Sequence, residues 1–215
     1  MRHDDSLVAR RPEACPAQGR FEKKYIMNTS EEFRTVMQSC RDLFAKKLHD
    51  YGAAWRIMRP ESVTDQLYIK ANRIRSLEMK GVAMVEEGIA PEFVAIVNYG
   101  IVGQIQLELG PAQAENDLSE EEALRCYDKY ADEALALMLR KNHDYDEAWR
   151  SMRISSYTDL ILMKVFRTKQ IEDLDGATLV SEGIAANYMD MVNYAVFALI
   201  KLTLEQGEAA TAEQG

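Results

Sequence analysis

The chain has 215 residues, 47% of them hydrophobic, which is enough to bury a sizeable core as one domain or two small ones. Its formal net charge of −9 excludes strong nonspecific binding to duplex DNA or RNA, which needs a basic surface, but leaves open a free nucleotide carried with a divalent cation. No run of about 18 apolar residues exists, so no membrane is expected as a partner; three cysteines, Cys15, Cys40 and Cys126, without metal spacing, point to a reduced cytoplasmic compartment.

Residues 1–27, rich in Arg and Pro and without an apolar core, read as a disordered tail, with Met27 a candidate start. Thr29 and Glu32 have capping-box spacing, and Phe33, Val36, Met37, Leu43 and Phe44 follow near helical spacing, predicting a helix from about Ser30 to Leu48. The segment His49-Asp50-Tyr51 breaks it. Thr64 is placed to cap a second helix running to about Glu78, and a third begins near Pro91 and ends before Gly110-Pro111. Residues 110–118 form a linker. Three further helices follow: one capped by Ser119 with Glu122 and running to about Lys141, one from Thr158 to about Asp173, and one from Ala186 to about Glu205. Residues 206–215 read as a second disordered tail.

The two halves are copies. Residues 49–65, "HDYGAAWRIMRPESVTD", match residues 143–159, "HDYDEAWRSMRISSYTD", at 11 of 17 positions, a shift of 94. With the shift increased by one, residues 86–99 match 181–194 at 7 of 14. No alternating strand pattern is present, and two copies are too few for a solenoid. The predicted fold is an all-α helical bundle of two tandem pseudo-symmetric three-helix repeats, 28–109 and 119–205, resembling a homodimer fused into one chain. Self-association of the whole chain into a homodimer is left open.

Several polar residues stand where a plain bundle does not need them. Asp190 and Asn193 interrupt the apolar stretch 188–202 three residues apart, hence on one face; a buried carboxylate there needs a metal, a hydrogen-bond partner or a buried cation. The first copy keeps Asn98 but has Ala95 in place of Asp190, with Glu92 nearby at a different helical angle. Lys70 with Arg73, and Lys164 with Arg167, are spaced to meet phosphate oxygens, although a solvated helix face would look the same. Around each break, His49 and His143 suit acid–base work, Trp55 and Trp149 could stack on a base, Arg56 and Arg150 could meet phosphates, and Asp144 could hold a metal. The alternative is a loop whose tryptophan plugs the core and whose Asp–Arg pairs fix the backbone. No nucleophile motif, Gly-rich phosphate loop or zinc spacing occurs.

The order K-x-H-D-Y-x-x-A-W-R, T-D, K-x-x-R, E-G-I and V-N-Y resembles the nucleotide-modification-associated family. In this chain it runs through Lys47–Arg56 and Lys141–Arg150, Thr64-Asp65 and Thr158-Asp159, Lys70/Arg73 and Lys164/Arg167, Glu87–Ile89 and Glu182–Ile184, and Val97–Tyr99 and Val192–Tyr194. The resemblance implies a role in deoxynucleotide or DNA-base metabolism. A looser likeness to all-α nucleoside triphosphate pyrophosphatases of the MazG and dimeric dUTPase type rests on Glu172 with Asp175 and Glu182 with Asp190.

Together these readings predict a metal-dependent protein that binds or processes a nucleotide, with phosphoanhydride hydrolysis as one outcome. Asp144, Glu182 and Asp190 would hold Mg²⁺, His143 and Asp144 would be catalytic, and Trp149, Arg150, Lys164, Arg167 and Asn193 would meet the nucleotide. His49, Trp55, Arg56, Lys70 and Arg73 would repeat that role in the first copy. The competing expectation is a non-enzymatic helical interaction module.

Overall fold

The structure, a computed structural model, describes residues 28–80, 88–114, 117–177 and 182–205. Among the described residues six α-helices run in chain order: α1 Thr29–Tyr51, α2 Pro60–Lys80, α3 Ala90–Leu109, α4 Glu120–Tyr145, α5 Ile154–Glu172 and α6 Ile184–Leu199, the last continued by one wide turn, Ile200–Glu205. No strand occurs among the described residues, and the fold is all-α, with three helices to each copy. The tails expected at 1–27 and 206–215, and Glu87 of the E-G-I motif, lie outside the described residues. None of the helices described is long and apolar enough to cross a membrane.

Local signals explain most helix ends. Ser119 accepts from the Glu122 amide and Glu122 returns a bond to the Ser119 amide, the expected capping box. In the first copy the box sits one residue earlier than expected, on Asn28 and Glu31. Thr29 and Glu32 are instead buried, because both hold Arg150 of the other copy. Neither Thr64 nor Thr158 is a cap. Their helices start four residues upstream, at Pro60 and Ile154, and proline at a first helical position loses no hydrogen bond.

The copies are related by a pseudo-twofold axis, since each helix packs on its counterpart: α1 on α4, α2 on α5 and α3 on α6. Polar contacts repeat reciprocally, as an isologous interface requires. Thr64 donates to Glu172 at 2.5 Å, and Thr158 donates to Glu78 at 3.0 Å. Asp65 pairs with Lys169, and Asp159 lies 3.8 Å from Arg75. On the axis, α3 approaches α6 closely because Gly100 and Gly103 leave room for Val192 and Tyr188; the second copy has the fully buried Ala195 and Ala198 at the matching positions. A Cβ on Gly100 would lie 2.6 Å from Val192 Cγ2.

Burial at the α2–α5 seam raises the Glu78 and Glu172 carboxyls above the usual range, with their threonine bonds opposing. An acid whose pKa is raised by folding contributes stability that is full below its unfolded pKa and lost as pH rises through the folded one. Changing both glutamates to glutamine is therefore expected to raise the melting temperature at pH 7.5, with the gain shrinking toward pH 5. Thermal melts across that range check it, and a pH-independent difference would contradict the assignment.

Candidate functional site

Each copy encloses a cavity beside its break segment, walled by equivalent positions. In the first copy it measures about 400 Å³ and is lined by Phe44, Lys47, Tyr51, Trp55, Lys70, Glu92, Ala95, Asn98, Tyr99 and Val102, among others. In the second it measures about 270 Å³, and Met138, Lys141, Tyr145, Trp149, Asp190, Asn193, Tyr194 and Phe197 take the corresponding places. The duplicated K-x-H-D-Y, A-W-R and V-N-Y words thus supply the walls of two matching cavities. The periodicity alone singled out neither Lys47 nor Lys141 as a cavity residue; the one available signal was that both open the repeated word.

The buried carboxylate differs between the copies by one helical turn. Asp190 on α6 is 5% exposed, with one oxygen 2.6 Å from Lys164 and the other bonded to Lys141. Three residues earlier α6 carries Asn187, so Arg167 forms no ion pair among the described residues. The first copy reverses this. Ala95 occupies the position of Asp190, while Glu92, in the place of Asn187, pairs with Arg73 and lies 3.3 Å from Lys70. Glu92 therefore supplies the carboxylate that Ala95 lacks. As a result Lys47, the counterpart of Lys141, is exposed at the cavity wall with no ion pair among the described residues. Burial, and then nearby Asp190, raise the pKa of the Tyr194 hydroxyl.

Arg56 and Arg150 were expected to meet phosphates; the structure ties Arg56 to the end of α3 and the linker, and Arg150 to the other copy. Arg56 is 2% exposed and donates to Asp117 at 2.9 Å, to the Gly110 carbonyl at 2.8 Å and to Gln106. Arg150 donates to Thr29 at 2.7 Å, Glu32 at 2.5 Å and Glu205 at 3.0 Å. Both guanidinium groups are taken up by carboxylates and other oxygens of the fold, which leaves them no fork for a phosphate. Trp149 is buried, with Phe197 stacked on it at 4.3 Å and 8° and the Arg150 guanidinium 4.4 Å from its ring centre. Trp55 is half-buried and lines its cavity.

His49 and His143 have side chains 79% and 88% exposed, each beside the adjacent aspartate, at 3.5 and 3.1 Å, and neither lines the cavity of its copy. The expected catalytic pair His143 and Asp144 thus projects from the end of α4, where the chain turns at Asp146, rather than meeting Asp190. Among the described residues no three His, Cys, Asp or Glu side chains gather as metal ligands. The Mg²⁺ set expected of Asp144, Glu182 and Asp190 is not assembled: Asp144 and Glu182 are exposed, and lysine nitrogens hold both oxygens of Asp190. These residues do not fit a divalent cation. Glu172 and Asp175 do not form a second set, because Glu172 binds Thr64 and Asp175 lies exposed in the turn after α5.

Asn98 and Asn193 occupy equivalent positions with different surroundings. Asn98 accepts from the Tyr127 hydroxyl at 2.8 Å and donates to the Cys40 carbonyl at 3.2 Å. Asn193, 3% exposed, has no hydrogen-bond partner at either amide atom among the described residues. The position in α1 equivalent to Tyr127 is Phe33, which carries no hydroxyl. Phe33→Tyr is expected to restore that bond and raise stability by about 1 kcal/mol, read as a higher urea midpoint at an unchanged slope. A loss of stability would mean that the second copy has no room for the hydroxyl.

A duplicated all-α bundle with a cavity in each copy, walled by the same repeated words, defines the class of protein. The chain belongs to the family described as nucleotide modification associated domain 1, whose model matches residues 47–107 and 141–202, one stretch in each copy. No match was found among curated proteins or among solved structures.

Proposed function

We propose that the protein binds a nucleotide in the cavity of the first copy, in keeping with the family to which it belongs. The observation that carries this reading is the state of Lys47: it stands at the wall of a mainly apolar cavity of about 400 Å³ with no carboxylate on it among the described residues, because Glu92 is paired with Lys70 and Arg73 instead. An apolar cleft with a cation unpaired among the described residues suits a ligand that is flat and apolar at one end and anionic at the other. The reading is of binding. Hydrolysis of a phosphoanhydride has no cluster of carboxylates to support it among the described residues, and Mg²⁺ would enter only as the companion of a triphosphate. A purely structural module is the second reading, favoured by Arg56, Arg150 and Asp190, whose groups are all taken up within the fold. It accounts for the second copy but gives the open cavity of the first no role.

Melting the protein with deoxynucleoside mono- and triphosphates, with and without Mg²⁺, tests the proposal, because a ligand of the folded state raises the melting temperature by mass action. Monophosphates are expected to stabilise without metal. Lys47→Ala should weaken binding about tenfold, equivalent to about 1.4 kcal/mol, whereas Lys141→Ala should not. No shift at millimolar concentrations of any nucleotide would leave the structural module as the better reading.

A further inference from the structure

Resting on the nucleotide reading, we infer that the two copies have divided their roles: the first takes the planar base of the ligand against Trp55, while in the second its own Phe197 takes the place of the base, so that each chain binds one ligand. The tryptophans stand at the same place in the short turns Ala54–Ile57 and Ala148–Ser151. Facing them one turn beyond the V-N-Y words are Val102 on α3 and Phe197 on α6, each lining the cavity of its copy. Phe197 lies flat on Trp149 at 4.3 Å and 8°, the geometry that a nucleobase adopts on an aromatic side chain. Val102 is aliphatic and shorter, and the first cavity is larger, at about 400 Å³ against about 270 Å³. Phe44 stands at the side of Trp55, 6.1 Å away and tilted by 49°, and does not stack on it. The anion subsite divides in the same way: Lys141 is bonded to Asp190, whereas Lys47 is unpaired among the described residues. The second copy thus contains within its own chain a ring and a carboxylate at the two places where the first would receive a base and a phosphate.

Calorimetric titration with the four deoxynucleoside 5′-monophosphates, and with deoxyribose 5-phosphate as a base-less probe, tests this. One equivalent per chain is expected, with the base-less probe bound at least about tenfold more weakly. Val102→Phe should weaken nucleotide binding at least about tenfold by filling the place of the base. Should that variant fold poorly, Trp55→Leu and Trp55→Phe decide the point: the first loses the stack, and the second keeps affinity within about threefold. Two equivalents per chain, or undiminished binding by a folded Val102→Phe or by Trp55→Leu, would overturn the inference. A base-less probe bound as tightly as the nucleotides would overturn the stacking while leaving a phosphate site at Lys47. No binding by any probe would overturn the nucleotide reading and this inference together.

Discussion

Gly103→Leu is expected to abolish cooperative folding or to lower the melting temperature by more than about 10 °C, and Gly103→Ala to lower it by several degrees. Gly103 lies on the axis between the copies. A Cβ there would stand 2.6 and 2.7 Å from Tyr188 Cε2 and Cδ2, well inside van der Waals contact. The ring has nowhere to go. Tyr188 is fully buried, its hydroxyl donates to the Pro60 carbonyl at 3.1 Å, and it lies 2.7 Å from the Thr64 hydroxyl. Relief must come from separating α3 and α6, the central helix pair, and that loosens contacts along its whole length. Replacing a mid-helix glycine by alanine gains about 1 kcal/mol of propensity, whereas overpacking a tight core costs about 1–3 kcal/mol and more on a constrained axis. The clash therefore wins for alanine and dominates for leucine. Thermal melts monitored by circular dichroism check the order of the two variants, and Tyr188→Leu should recover part of the Gly103→Ala loss. A Gly103→Ala protein at least as stable as the parent would show that the helix crossing is looser than described.

Asp190→Asn comes next in size, with an expected loss of about 3 kcal/mol, or roughly 6–12 °C. The substitution keeps the shape but removes the charge that two lysines face. Lys164, with a side chain only 8% exposed, cannot turn to water and is left as an uncompensated buried cation. Lys141, 45% exposed, can swing out, which holds the loss at the lower end of the range for broken buried pairs. Lys141→Ala should consequently cost less than about 1 kcal/mol. Exchanging the pair for Asp190→Leu with Lys164→Met should restore much of the loss, since apolar residues of similar volume often replace a buried ion pair without penalty. Chemical denaturation of the four proteins measures these differences. Nucleotide affinity should be unchanged throughout, because the open cavity belongs to the other copy; a stable Asp190→Asn protein that no longer binds nucleotide would return Asp190 to a ligand role.

Much of the architecture was legible in the sequence by itself. The repeated words at a shift of 94 reported the duplication, and the spacing of apolar residues reported six helices in two sets of three. The Ser119–Glu122 cap and the burial of the third helices followed from local pattern, because capping and amphipathicity are properties of a single helix. Only the tertiary structure decided which neighbours those helices meet. Helical spacing placed Asp190 on a buried face but could not say that Lys141 and Lys164 converge on it, or that Glu92, one turn earlier on α3, does the same work for Lys70 and Arg73. Arg56 and Arg150 looked like phosphate ligands because their partners are distant in sequence: Asp117 in the linker for Arg56, and Thr29 and Glu32 in the other copy for Arg150. The same dependence on long-range packing separates the two cavities. Val102 and Phe197 are both ordinary apolar residues of a buried helix, and only the stacking of Phe197 on Trp149 distinguishes the smaller cavity, with its tryptophan covered, from the larger one. Local pattern determines which residues turn inward; what each one meets there depends on contacts between segments far apart in the chain, which no single helix encodes.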